Sequence, residues 1–450
     1  MKRVLLISPP ARHQRPVDLI PIGLLSIAGY LRKHGYAVAV YNSCFPDQNS
    51  YDQKIDDTTS LIRKYAPDFI GIGFPSDALD AAATIARTAK DLNREVKVIV
   101  GGIHPTAKPR ETVRIPYFDF LIHGEGEITT RELLDALIAR RNPEQISGIS
   151  YRSNGIVIRT DPRPEIDELD DIPFENRDLL VDLDKYPKRA LGQIHTSRGC
   201  PYGCAYCSSS IIWKKKVRFR SVGNVMSEIA YLYSCYRVRD INFADDNLTL
   251  DQDRVAAICE AILERKFRVN WRCCSRPDIH QHFSPAVLRL MRKAGCRQIC
   301  VGFESGDQGL LDNVGRGVRV REHEKVLELM MHAGIRLHVD FIIGLPGESK
   351  ATLDRTFRFM KRIGRRCRPT MSVALFKPYP GTRLGARKNL IDHANLYPEF
   401  KKIFDLAEAC NIKKLSRDPV YVGRKLLDNI SAPKNLGVLI RSTLASFKQT

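Results

Sequence analysis

The chain of 450 residues predicts an α/β protein made of two parallel-sheet domains in series and a helical tail. Three observations carry this reading. Short apolar runs alternate with amphipathic stretches along most of the chain. Turns rich in glycine and proline follow many of the apolar runs. The alternation is interrupted once, by a proline- and acid-rich stretch within 146–190.

In order, "RVLLIS" is the first strand, and "IPIGLLSIAGYLRKHG" is a helix closed by Gly35 with Lys33 and His34 in its last turn. "AVAVYN", "FIGIGF" (69–74) and "VKVIVGG" (96–102) are the next strands. "FDFLIHGEGE" (118–127) holds a fifth short strand before the helix "ITTRELLDALIARR". Strands separated by helices imply a doubly wound parallel sheet over 1–145, with ligands above the carboxyl ends of its strands. The turns on that edge read "ISPP", "GFPSD", "GGIHPT" and "HGEGE". Gly101 and Gly102 would let the backbone approach a bulky ligand. No G-x-G-x-x-G follows the first strand, which disfavours a dinucleotide.

Residues 146–190 form a connector that opens with a hairpin turning at "SNG". A second α/β series fills 191–385, with strands in "GQIHTS", "DINFADD", "VNWRCCSR", "QICVGFES", "LHVDFIIGLPG" and "MSVALFKPYPG". Six β/α units fit a partial barrel with its site at the carboxyl ends of the strands. Residues 386–450 are helical and basic; Leu436, Ile440, Thr443, Leu444 and Phe447 share one stripe, read as a cap on the barrel, with peripheral membrane contact as the alternative.

Composition bounds the function only loosely. A hydrophobic share of 43% and a charged share of 27% are those of an ordinary globular protein. No apolar run reaches the roughly 18–20 residues of a membrane span. "VLLIS" is shorter than the roughly 7 residues of a signal-peptide core, so a cytoplasmic protein is expected, with its thiols reduced. The net charge of +20 suits an anionic partner or merely a basic solvated surface. The segment "WKKKVRFR" (213–220) could greet an anionic substrate or stack on RNA, but no appended RNA-binding module supports nucleic acid as a partner.

The chemistry is written in "HTSRGCPYGCAYCSSS" (195–210), which places Cys200, Cys204 and Cys207 on one loop with Gly199, Pro201 and Gly203. Zinc usually takes two separated thiol pairs, and a redox dithiol needs only two sulfurs. Three close thiols can hold three irons of a cubane [4Fe-4S] cluster and leave the fourth open to a small chelating molecule.

This run, with Tyr206 as the aromatic before Cys207, resembles the radical S-adenosylmethionine (SAM) superfamily. The resemblance implies that the open iron is chelated by SAM, and that reductive cleavage yields a 5′-deoxyadenosyl radical. It extends in order through "FADDNLT", with Asp245 and Asp246 for the SAM amino group, and Arg276 for its carboxylate. "VGFESG" offers Glu304 for the ribose hydroxyls, "IIGLPGES" (342–349) supplies Gly344 and Gly347 for adenine, and "PYPGT" (378–382) resembles the end of the sixth strand. The bland alternatives are a helix cap for the aspartates, a solvated Arg276 and plain turns for the glycines.

"P-x-G-L-x-x-I-A-G-Y-L-x-x-x-G", "GGIHPT", "HGEGE" and "DDIPF…R" ahead of the cysteine loop resemble the cobalamin-binding class of that superfamily, which includes methyltransferases and oxidative cyclases. The fold implied is a Rossmann-like cobalamin-type domain, a partial (β/α)6 TIM-like radical SAM barrel and a helical C-terminal region. The D-x-H-x-x-G of cobalt-ligating domains is missing: Ala11 and Pro16 stand where Asp and Gly would be, and His13 is read as a solvated loop histidine. Cobalamin is therefore expected base-off, without a protein nitrogen below cobalt.

The activity expected is cobalamin-dependent methylation of an unactivated carbon on a small or lipid-like substrate, anionic if the basic charge serves it. Flavodoxin or ferredoxin would be the electron donor. The alternatives are radical cyclisation or oxidative rearrangement without methyl transfer, and an RNA- or membrane-binding module with a structural cluster. Cys273, Cys274 and Cys300, on barrel strands, are read as small hydrophobes rather than hydrogen donors.

Overall fold

The computed structural model describes residues 2–11, 19–45, 49–385 and 393–415. His13, Pro16 and the apolar stripe at 436–447 lie outside the described residues. The chain falls into two compact units: Met1–Pro201 with Cys207–Asp246 and Tyr379–Arg383, and Tyr202–Tyr206 with Asn247–Pro378 and Leu384–Thr450.

The first unit opens with β1 (Arg3–Ser8), α1 (Ile22–Lys33), β2 (Ala37–Asn42), α2 (Tyr51–Tyr65), β3 (Phe69–Gly73), α3 (Leu79–Leu92) and β4 (Lys97–Gly101). The short helices α4 (Ile103–Ala107) and α5 (Pro109–Thr112) lead to β5 (Phe120–Ile122) and α6 (Glu127–Ile138). Every strand and helix named for this half of the sequence forms. Gly35, at φ +86°, supplies the left-handed turn just past α1 that a side chain would resist. The sheet order β2-β1-β3-β4-β5 is all parallel, and its switch point falls between β1 and β3. In such sheets the ligand crevice lies outside the carboxyl ends of the strands at that point.

The hairpin assigned to the connector joins this sheet. β6 (Ile149–Ser153) pairs antiparallel with β5, and β7 (Ile156–Arg159) with β6, giving seven strands. Asn154 and Gly155 both take positive φ (49° and 77°), the tight turn that "SNG" implied. After α7 (Lys188–Leu191), the unit continues through β8 (Gln193–Ile194), β9 (Ser197–Arg198), α8 (Ser209–Trp213), β10 (Arg218–Phe219), α9 (Val222–Cys235) and β11 (Asp240–Phe243). β8 pairs parallel with β11, and β9 antiparallel with β10. Residues 191–246, expected to open the second domain, thus cluster largely with the first unit.

The second unit holds α10 (Gln252–Glu264), β12 (Asn270–Ser275), α11 (Ile279–His282), α12 (Pro285–Lys293), β13 (Cys296–Glu304), α13 (Gln308–Asn313) and α14 (Val320–Ala333). It ends with β14 (Arg336–Ile343), α15 (Lys350–Arg366), β15 (Thr370–Leu375) and α16 (His393–Leu415). β12 to β15 pair in order and in parallel. Along them, Trp271, Ile299, Val301, Phe303, Val339 and Phe341 are buried, while Arg272 and Cys274 are exposed and Cys300, His338 and Asp340 half-buried. One face is therefore apolar core and the other polar and open. α16 closes the β15 edge: the Asn411 side chain accepts from Met371 N and donates to Met371 O, both at 2.8 Å, as a neighbouring strand would.

His323 on α14 is fully buried, stacked at 4.2 Å on Phe303, with no hydrogen-bond partner for either ring nitrogen among the described residues. Burial pushes its imidazole down to about 3, with the Arg316 charge adding to the effect. The unfolded chain takes up this proton near pH 6.5 and the folded chain does not, so stability is full above that pH and falls toward pH 3. His323→Leu should raise stability at neutral pH by about 1–2 kcal/mol and flatten the loss between pH 7 and 5. Urea unfolding at the two pH values reads it; equal slopes in both proteins would contradict it.

Candidate active site

The cysteine loop is anchored in the first unit by buried charge. Asp245, at the end of β11, accepts from Thr196 N (2.8 Å), Thr196 Oγ1 (3.0 Å), Ser197 Oγ (2.7 Å) and Ser197 N. Both carboxylate oxygens are thus engaged in fixing the β8–β9 turn that leads to Cys200. The carboxylate expected to meet an ammonium therefore also fixes this turn. Asp246 is exposed and accepts from Ser209 Oγ at 2.7 Å.

Arg198, one residue before Gly199, reaches Glu125 Oε1 and Glu127 Oε1, each at 2.5 Å, and Ser26 Oγ at 3.1 Å. Burial alone would raise the Glu127 carboxyl, but the Arg198 charge and hydrogen bonds from Arg198 and Ser26 hold it below its usual range. Arg218 of β10 takes the other Glu125 oxygen at 2.7 Å, and the Trp213 ring lies 5.7 Å from the Arg218 guanidinium and 5.8 Å from that of Arg198. The "HGEGE" turn therefore grips the hairpin that carries the cysteine loop. Nothing in the motif announced this, because its partners stand 71 to 93 residues away.

Part of the basic segment 213–220 is likewise turned to internal use. Lys214 faces Glu165 at 3.7 Å, Lys216 pairs with Asp167, Arg218 with Glu125, and Arg220 with Glu228 at 2.6 Å. Its two arginines are spent inside the fold, while Lys214, Lys215 and Lys216 stay exposed. At the sheet edge, Gly102 takes φ +98°, and a Cβ there would stand 3.1 Å from Phe74 N. Its freedom lets the β3 and β4 turns meet; the Gly101 carbonyl accepts from Phe74 N at 3.1 Å on the same contact. Two imidazoles sit on this edge: His104 bonds Ser76 Oγ at 2.9 Å and His123 bonds Ser150 Oγ at 2.8 Å.

In the second unit, Cys204 is buried and two guanidinium groups point at its sulfur, Arg276 Nη1 from 3.6 Å and Arg316 Nη1 from 3.4 Å. Arg276 lies 3.5 Å over the Tyr202 ring and donates to the Arg316 carbonyl at 2.8 Å. Arg316 donates to the Gly302 carbonyl at 2.7 Å and lies 3.5 Å from Glu304 Oε1, which also accepts from Tyr206 OH at 2.9 Å. Burial raises the Glu304 carboxyl despite the Arg316 charge.

Glu304 owes its direction to a break in register between Gly302 and Glu304, where its φ is +64°. A Cβ on Gly302 would lie 2.3 Å from Glu304 Oε1, so only glycine leaves room for the folded-back carboxylate. Gly344 and Gly347 both have positive φ (84° and 88°). Glu348, pushed up to about 7 by burial, accepts from Gly344 N and from Leu345 N at 3.3 Å, closing that turn. Arg316, Gly302 and Glu348 were missed in the sequence. Gly302 and Glu348 lie in the quoted "VGFESG" and "IIGLPGES" without having been singled out, while Arg316 sits in an unremarkable "GRGV".

The thiol donor set fits an iron–sulfur cluster. Hydrogen-bond donors aimed at Cys204 Sγ would stabilise a thiolate ligand. Among the described residues no three His, Cys, Asp or Glu side chains surround a single-ion position. A cubane does not need that arrangement, because each thiolate binds a different corner. The sheet topology of the first unit likewise fits a large cofactor at the β1/β3 crevice.

The Radical SAM superfamily pattern matches residues 194–360, and the B12 binding domain pattern residues 10–134. An uncharacterized methyltransferase of Pyrococcus horikoshii is 33% identical over 392 residues, covering 85% of this chain and 82% of that protein. The anaerobic magnesium-protoporphyrin IX monomethyl ester cyclase of Rubrivivax gelatinosus is 28% identical, over 80% of this chain and 64% of its own length. In fold, the chain is similar to the radical SAM methyltransferase TsrM of Kitasatospora setae, solved with cobalamin and a [4Fe-4S] cluster, at a TM-score of 0.70 and 20% identity over 86% of this chain and 77% of that one. No described helix is long and apolar enough to cross a membrane. The chain belongs to the radical SAM superfamily and is one of its enzymes that also carry a B12-binding domain.

Proposed function

We propose that this enzyme methylates an unactivated carbon of a small substrate. What carries the reading is one chain that joins the Cys200–Cys207 loop to a B12-type sheet and runs 82% of the length of a methyltransferase relative. When bound, the cluster and SAM supply a carbon-centred radical, and cobalamin supplies the methyl group. Cys200, Cys204 and Cys207 hold the cluster, while Arg276 and Arg316 donate to the Cys204 sulfur and balance its charge. Glu304, steadied by Tyr206 and Arg316, binds the ribose hydroxyls of SAM. Asp246, the exposed member of the aspartate pair, orients the SAM amino group, and the Gly344–Gly347 turn presents backbone to adenine. Gly101 and Gly102 line the cobalamin crevice. An acidic flavodoxin or ferredoxin delivers the electron, in the cytoplasm, where twelve cysteines without a disulfide are at home.

The test uses protein loaded anaerobically with cluster and cobalamin, given SAM with a deuterated methyl group. Expected are 5′-deoxyadenosine and label recovered with the cobalamin. Deoxyadenosine without label on cobalamin would favour the second reading, cyclisation, which the Rubrivivax relative supports. Glu304→Ala should weaken SAM binding by about tenfold or more, the lower bound for one hydrogen bond to a charged group, without loss of iron. Unchanged affinity would return Glu304 to a structural role.

A further inference from the structure

The open face of the β12–β15 sheet carries a second sulfur site, apart from the cluster loop. Cys274 on β12 stands directly opposite Cys300 on β13 in the parallel register, and both lie on the uncovered face, Cys274 exposed and Cys300 half-buried. Cys273 lies on the other face, buried in the core. Neighbouring strands run about 4.8 Å apart, inside the Cα separation of roughly 4.4–6.8 Å that a disulfide spans. The next residue in the same row is His338, paired with Cys300 across β14. Its Nε2 is 3.2 Å from Asp340 Oδ1, and its Nδ1 meets Thr370 Oγ1 at 2.8 Å.

We propose that Cys274 and Cys300 form an oxidisable dithiol, a modification site distinct from the cluster cysteines. A two-electron oxidant of the peroxide class takes it to a disulfide. One oxygen–oxygen bond breaks, one sulfur–sulfur bond forms, and the two thiol hydrogens leave in water. Cys274, open to solvent, attacks the peroxide and becomes the sulfenic acid, and Cys300 resolves it. The Cys300 thiol is raised by its hydrogen bond with Cys274, by burial and by the charges of Cys274 and Asp340, which suits it to the resolving role. With Cys274 exposed, a dithiol reductant should reopen the bridge readily.

The experiment treats the full-length, cluster-loaded protein with hydrogen peroxide, alkylates the remaining thiols and maps the peptides by mass. Expected is a peptide joining Cys274 to Cys300, two hydrogens lighter than the reduced pair and lost on adding dithiothreitol. The link should persist in Cys273→Ser and vanish in both Cys274→Ser and Cys300→Ser, whose circular dichroism should match that of the parent. Independent alkylation of both thiols after peroxide, or linkage of either to Cys200, Cys204, Cys207 or Cys273 instead, overturns the proposal. The mapping is indifferent to whether the enzyme methylates or cyclises.

Discussion

Arg198→Met protein should unfold at markedly lower denaturant and take up little iron. The side chain holds Glu125 and Glu127, whose own side chains are only 5% and 4% exposed. Without it, Glu127 is left with Ser26 Oγ at 2.6 Å, while Glu125 keeps Arg218. Stranding a buried carboxylate costs about 3–5 kcal/mol, a large part of the about 5–15 kcal/mol that holds a typical domain together. The same loss frees the β9–β10 hairpin from the "HGEGE" turn, just ahead of Cys200. Arg198→Lys should recover little, because one ammonium cannot fork to two carboxylates. Adding Glu127→Gln to Arg198→Met should restore part of the stability, since the stranded charge is then gone. Guanidinium unfolding of the three variants and their iron content after reconstitution read the result. A parental midpoint for Arg198→Met would show the clamp to be idle.

The second large effect concerns the cluster itself. Changing Cys200, Cys204 and Cys207 together to Ala should take iron to background, remove the visible absorbance and abolish formation of 5′-deoxyadenosine. The fold should survive, since only Cys204 is buried, and the backbone of its neighbour Ala205 is held at both ends, its N–H by Val314 O at 2.8 Å and its carbonyl by Leu384 N at 3.1 Å. Arg276 and Arg316 would then face a methyl group in place of a sulfur, a modest penalty for two guanidinium groups with other partners. Stoichiometric iron retained in the triple variant would place the cluster elsewhere. A chain that unfolds, read by circular dichroism, would show the thiols to be structural.

Much of the scaffold was legible in one dimension. Strands such as Ala37–Asn42 and helices such as α12 obey rules of local spacing, in which the apolar positions of one face recur every second or every third to fourth residue. Gly35 and "SNG" were legible because backbone sterics act within a single turn. The three thiols were legible because they are contiguous, so their spacing is itself the geometry. Asp245 shows where such reading stops. An acid at a strand end is equally suited to a ligand's ammonium or to the amides of a neighbouring turn, and the turn it serves lies 48 and 49 residues earlier.

By itself, then, the sequence determined the alternation of strand and helix, the parallel two-domain plan and the three-thiol loop, all products of short-range sterics and periodic burial. Tertiary structure alone decided what the charged residues do. It tied Arg198 and Arg218 to the glutamates of "HGEGE", drew the 146–160 hairpin onto β5, brought Arg316 to Cys204 over 112 residues, and bent β13 so that Glu304 faces Tyr206. The physical reason is range. A buried charge must find its opposite to be tolerated at all, and that opposite is set by where the folded chain brings it, which no local spacing records.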